Sequence, residues 1–125
     1  MIDFKNASFF KLKPVTNAPF MDMVSALLLR EEKILGIFQG MRDGVVFTNM
    51  RIISVNVQGV TGKKKDFTSM PYSKIQLFSV ETAGVLDMDT ELELWFSGAG
   101  KVKFEFTSST DVGTIAKVIA QYALR

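Results

Sequence analysis

The sequence predicts a mainly β domain: seven antiparallel strands forming a barrel or two orthogonal sheets, closed by a C-terminal helix. Three observations predict it. From residue 33 the apolar period is two, and the strand-like runs are joined by turns too short for βαβ crossovers. After Phe106 the period returns to that of a helix. At 125 residues the chain has one core's worth of sequence, enough to bury roughly two-thirds of the surface its unfolded form exposes.

The elements follow in order. Residues 1–18, with Pro14 and Asn17 near their end, read as an irregular arm ahead of a single domain over 19–125. Pro19 suits a first helical turn, and Phe20, Met23, Val24, Leu27 and Leu28 fall on one helical face. This extra N-terminal helix is expected over 19–31, closed by Arg30-Glu31-Glu32, and its apolar face must dock somewhere. Strands follow over 33–41, 44–48, 51–58, 64–69, 75–82, 90–97 and 101–106. Asp43-Gly44 is a hairpin signal, and Asn49 tolerates the left-handed conformation of a tight turn before Arg51. Pro71-Tyr72 breaks pairing at a corner.

In the last hairpin Leu92, Leu94 and Phe96 share a face with Val102, Phe104 and Phe106. Two registers keep those faces aligned. The one expected pairs Ser97 with Lys101, puts Gly100 at a left-handed loop position and sets Trp95 opposite Lys103. The other pairs Phe96 with Gly100 and sets Glu93 against Lys103. The run 107–111 is rich in helix N-caps, and Val112, Ile115, Ala116, Ile119 and Tyr122 mark an amphipathic helix expected over 110–125. Gly113 inside it is read as a point of close approach to the sheet.

Composition narrows the chemistry. The chain has no cysteine and no histidine, which excludes disulfides, thiolate and imidazole metal sites, and Ser–His–Asp or cysteine nucleophile machinery. No apolar run reaches the roughly 18–20 residues of a membrane span. Asp3 and Lys5 interrupt the core a secretory signal would need, so a cytoplasmic protein is expected.

Charge is unevenly placed. Residues 33–74 carry a net +5, and residues 75–100 carry a net −5. Such regions can complement each other between copies or within one. Lys63, Lys64 and Lys65 are therefore one half of a candidate interaction surface, and Asp87, Asp89, Glu91 and Glu93 the other. Trp95, on a polar strand face, joins them; its cover would be the N-terminal helix, a neighbouring subunit, or partial exposure against Lys103. The loop Gly59-Val60-Thr61-Gly62-Lys63-Lys64 fails as a phosphate loop: two residues separate its glycines, no Ser or Thr follows the Lys, and a strand follows the loop. Three lysines give an anionic membrane only a salt-sensitive attraction, and stable attachment needs a second signal. The stacking aromatics of a nucleic-acid surface are not interleaved with them. The acids Asp87, Asp89 and Glu91 lack the spacing of a calcium loop.

The corners Val45-Val46-Phe47-Thr48-Asn49-Met50-Arg51, Gln58-Gly59-Val60-Thr61-Gly62-Lys63-Lys64, Ser69-Met70-Pro71-Tyr72, 78–84 and 87–92, in that order and spacing, resemble the bacterial pleckstrin-homology (PH) domain family over about residues 20–125. The resemblance implies a PH-like barrel, no enzymatic activity and assembly into ring-shaped homo-oligomers. The basic loop by which phosphoinositide-binding relatives grip phosphates is replaced by Gly40-Met41-Arg42-Asp43-Gly44, with one cation beside an anion. The expectation is a non-enzymatic protein-interaction scaffold that partners itself and an unidentified protein, with no cofactor, metal or nucleic acid. The alternative is a peripheral domain binding anionic lipid.

Overall fold

The computed structural model describes residues 1–4, 7–82, 89–107 and 110–124. Eight strands lie among them: β1 Ala7–Val15, β2 Ile34–Gln39, β3 Gly44–Thr48, β4 Arg51–Gln58, β5 Lys64–Pro71, β6 Ile75–Glu81, β7 Thr90–Phe96 and β8 Gly100–Phe106. Helix α1 is Met21–Leu27, helix α2 is Val112–Ala123, and a 3-10 turn at Tyr72–Lys74 links β5 to β6. The strands form one curled, open sheet in the order β5-β4-β3-β2-β1-β8-β7-β6. The mainly β plan with a C-terminal helix is the one the sequence predicts; the strand count and three local details differ.

The first difference is the arm, which is a strand rather than irregular chain. β1 joins the two leaves of the sheet. Lys13, Pro14 and Val15 pair antiparallel with β2, while Ala7 to Leu12 run parallel to β8. A bulge between Phe9 and Leu12, with Lys11 at φ 51, separates the two pairings. Bulges bend strands and raise their twist, which suits a strand that turns from one leaf to the other. The same bulge hides β1 from sequence reading. Phe9 and Leu12 are both buried yet three residues apart, so the period of two is lost.

The second difference is α1. It is seven residues long rather than spanning 19–31, and its buried side chains are Met21 and Val24, joined by Phe20 at its N-cap. Met23 and Leu27, expected on the inner face, are exposed. Phe20 sets the rotation: its ring lies where a Cβ on Gly44 would stand, at 2.5 Å. The helix packs on its own sheet, against Val46, Ile53 and Val55 on the outer face of β3 and β4.

The third difference is the β7–β8 register. The observed pairs are Phe96↔Gly100, Trp95↔Lys101, Glu93↔Lys103 and Glu91↔Glu105. The expected Ser97–Lys101 pairing fails because Gly98, not Gly100, takes the left-handed turn position, at φ 82. Gly100 starts β8 at φ 126, where a side chain would strike the Phe4 carbonyl oxygen at 2.9 Å. That carbonyl accepts from Lys101 N.

The main core lies inside the curl. Phe9 stacks on Phe104 at 5.2 Å, and Phe38 meets Phe47 and Phe106 edge-on at 5.7 and 5.1 Å. Helix α2 closes the core with Ile115 and Ile119, and Tyr122 stacks on Tyr72 at 5.2 Å. Asp111 caps α2 by accepting from Thr114 N (3.3 Å) and Thr114 Oγ1 (2.8 Å). A Cβ on Gly113 would meet Asp111 Oδ1 at 3.3 Å, so this glycine makes room for the cap rather than for the sheet.

Candidate interaction surface

The strand order places the two charged halves on different parts of the sheet. Lys63 ends the β4–β5 turn, and Lys64 and Lys65 open β5, opposite Gln58 and Val57; all three are exposed. β5 is one edge strand and β6, with exposed Glu81, is the other. Glu91 and Glu93 stand on β7, next to that second edge. Asp89 precedes β7 and is half-buried, and Asp87 lies outside the described residues.

The β7 acids have partners in the same chain. Glu91 Oε1 lies 3.1 Å from Lys103 Nζ, and Glu93 Oε2 lies 3.9 Å from Lys101 Nζ. The hydrogen bond from Lys103 to Glu91 raises the lysine's pKa above its ordinary value. These are diagonal pairs across the observed register, so they could be read only once that register is known. The cations that answer the β7 acids are thus those of β8, not Lys63, Lys64 and Lys65.

Trp95 is 41% exposed beside Leu77 of β6, which is 58% exposed. Its cross-strand neighbour on β8 is Lys101. Helix α1, one of the covers considered for Trp95, packs instead on β3 and β4.

Sequence reasoning missed a buried cluster at the other end of β4 and β5 from Lys64 and Lys65, where Arg51 pairs with Pro71. Glu32, in the α1–β2 loop, is buried. Its carboxylate accepts from Thr48 Oγ1 (2.6 Å), Leu29 N (3.1 Å) and Arg51 Nε and Nη2 (both 2.9 Å). Burial alone would raise the Glu32 pKa. The hydrogen bonds from Arg51, Thr48 and Leu29 outweigh it and hold the carboxyl at about 2. Arg51 also reaches Leu27 O (2.7 Å) and Ser69 Oγ (2.9 Å), so one guanidinium ties α1, the loop and β5 together. Asn49 completes the knot by accepting from Lys33 N at 2.8 Å. Tyr72 Oη donates to Thr48 O at 2.7 Å, and burial raises the phenol's pKa above its ordinary value. Every polar group here is spent on the fold. The Thr48-Asn49-Arg51 corner was legible; its acid was not, because Glu32 sits in a charged run that reads as solvent-facing.

The comparisons bear on the whole chain. The family model described as bacterial PH domain matches residues 3–123. The chain belongs to that family. The bacterial PH match begins well before residue 20 and so takes in β1, consistent with its place in the sheet. Among curated proteins the chain is similar to the uncharacterized protein YjqA of Bacillus subtilis (strain 168), 43% identical over 108 residues, covering 85% of this chain and 86% of that one. Among solved structures it is similar to a DUF1696 family protein with a pleckstrin-homology domain from Shewanella loihica PV-4. That likeness has a TM-score of 0.79 at 38% identity, over 90% of this chain and 97% of the other. A pleckstrin homology domain from Shewanella amazonensis SB2B is similar with a TM-score of 0.65 at 41% identity, over 89% and 93%. Among the described residues no helix is long and apolar enough to cross a membrane.

Proposed function

We propose that this bacterial PH domain is a non-enzymatic interaction module that self-associates head to tail into a closed ring and serves in the cytoplasm as a scaffold or adaptor for proteins. The observation that carries the reading is the pair of unlike sheet edges. β5 offers Lys64 and Lys65, and β6 offers Glu81 with exposed Leu77 and Trp95 alongside. An edge strand presents N–H and C=O groups that can pair with another chain. Two different edges meeting between copies make a heterologous contact, which closes into a ring when the rotation permits. The spending of Glu32, Arg51 and Tyr72 on structural bonds supports the non-enzymatic part of the reading. Light scattering of the purified chain at tens of micromolar is the test. A mass several times the 13.9 kDa of one chain is expected, and a strictly monomeric species overturns the reading.

A further inference from the structure

Helix α2 covers one side of the curl more closely than the other. It packs mainly on the 3-10 turn, β6 and β7. On the far side β1 stops pairing with β2 at Val15↔Ile37, so residues 34–36 run on past its end. Between that stretch of β2 and the first turns of α2 is an open cavity of about 290 Å³. The buried Phe38, Phe47 and Ile115 line it, together with the exposed Leu35 and the half-buried Val118. Gly36 lines it too and brings no side chain to fill it. The β2–β3 register shifts between Ile34 and Gly36, and a Cβ on Gly36 would stand 3.0 Å from Phe38 Cε2.

The polar side chains of the cavity stand together at the start of α2: Thr110, Asp111 and Thr114. What they offer is acceptors. The bonds from Thr114 hold the Asp111 carboxyl below its ordinary value, so it is ionised at neutral pH. Thr114 Oγ1 donates its proton to Asp111 Oδ2 and keeps its lone pairs. Thr110 Oγ1 is buried and has no hydrogen-bond partner among the described residues. A buried hydroxyl left so is costly, and a ligand group beside it removes the cost. No lining residue among the described ones is cationic. A bare helix N-terminus, with a partial charge of about +0.5, favours an anion. Here Asp111 already takes that place, and its full negative charge outweighs the helix end. An incoming anion would meet a carboxylate, and an incoming cation would meet a partner.

We propose that this cavity binds a small apolar amine, its compact aromatic or branched body against Phe38, Phe47 and Ile115 and its ammonium donating to the acceptors of Thr110, Asp111 and Thr114. Small-molecule sites are mostly apolar, with a few polar groups that fix orientation, and about 300 Å³ is the low end of their size. The volume therefore limits the occupant to about one ring or one branched chain. Three acceptor side chains answer the three donors of an ammonium. A neutral alcohol of the same shape keeps the apolar contacts and loses the charge-assisted bond, and a carboxylate of the same shape is repelled. Lys63, Lys64 and Lys65 do not line the cavity, and one copy carries the whole of it, so the proposal does not rest on self-assembly.

Nuclear magnetic resonance titration of the isotope-labelled full chain with phenethylamine, phenethyl alcohol and phenylacetate, at neutral pH, tests it. Phenethylamine is expected to move the amide signals of Gly36, Ile115 and Val118. The alcohol is expected to bind about tenfold more weakly, and phenylacetate more weakly still. Asp111→Asn keeps a good helix cap, so it should hold the melting temperature while bringing the amine down to the affinity of the alcohol. Val118→Trp, which fills the cavity, should abolish binding of both; if that variant does not fold, Asp111→Asn decides alone. Three results overturn the proposal: amide signals that phenethylamine leaves unmoved, phenylacetate binding as well as the amine, or undiminished amine binding by Asp111→Asn. If the probes leave those signals unmoved and dilution of the chain shifts them, the cavity is a contact between copies, which also overturns it.

Discussion

The Glu32–Arg51 pair and the Glu91–Lys103 pair are built from the same chemistry and do different work. Glu32 is buried, takes four hydrogen bonds and joins an inter-element loop to the sheet. Glu91 and Lys103 sit on neighbouring strands at the surface, 3.1 Å apart, with water available to both. Out of water a carboxylate must be fully paired or the fold fails there. At the surface the solvent competes, and the pair is worth about 0–1 kcal/mol. Among the described residues the buried charge is the carboxylate of Glu32, while the Glu91–Lys103 pair stays within reach of solvent.

That contrast breaks most easily at Arg51. Arg51→Met leaves the Glu32 carboxylate buried without its cation and is expected to cost about 3–5 kcal/mol in urea unfolding. The double variant with Glu32→Leu should recover much of the loss. A cost below about 1 kcal/mol would place the pair with the surface pairs.

Acid probes the same site without mutation. The Glu32 carboxyl is held at about 2 in the folded chain against an ordinary 4.5. The folded value is the lower, so the stabilisation is complete above pH 4.5 and disappears as pH falls towards 2. Its size is about 3 kcal/mol. Urea midpoints should drop more steeply across this window in the wild type than in Glu32→Gln; parallel curves contradict the assignment.

Smaller effects sharpen the comparison. Tyr72→Phe removes the buried donor to Thr48 O and should cost about 1–2 kcal/mol by thermal unfolding. Glu91→Gln should cost less than about 1 kcal/mol, and raised salt should shrink that difference. An equal effect at low and high salt would mean the Glu91–Lys103 pair is shielded from solvent.

How much of this was readable in the sequence depends on what each signal needed. The alternation of Leu92, Leu94 and Phe96 with Val102, Phe104 and Phe106 is local, and all six are buried as it implies. Helix α2 was legible from its cap-rich approach and apolar stripe. The hairpin register was not, because both candidate registers keep the apolar faces aligned. The choice falls to the Phe4 carbonyl, nearly a hundred residues away in sequence, which crowds Gly100. β1 was lost to its bulge, and Glu32 to its distance from Arg51, 19 positions along the chain. Of the candidate surface, the exposure of Lys63, Lys64 and Lys65 could be read from their place at the end of a Gly-rich turn and the start of the strand that follows it. The engagement of Glu91 and Glu93 by β8 lysines could not, since it follows from the register.

The surface half of the contrast stands on one variant and one instrument. Lys63→Glu, Lys64→Glu and Lys65→Glu together should change the monomer's stability by no more than about 0.5 kcal/mol per site, because these side chains are exposed. Multi-angle light scattering at tens of micromolar should give a closed oligomer for the wild type and a smaller species for the triple variant. A wild-type protein that is monomeric throughout this range contradicts the account.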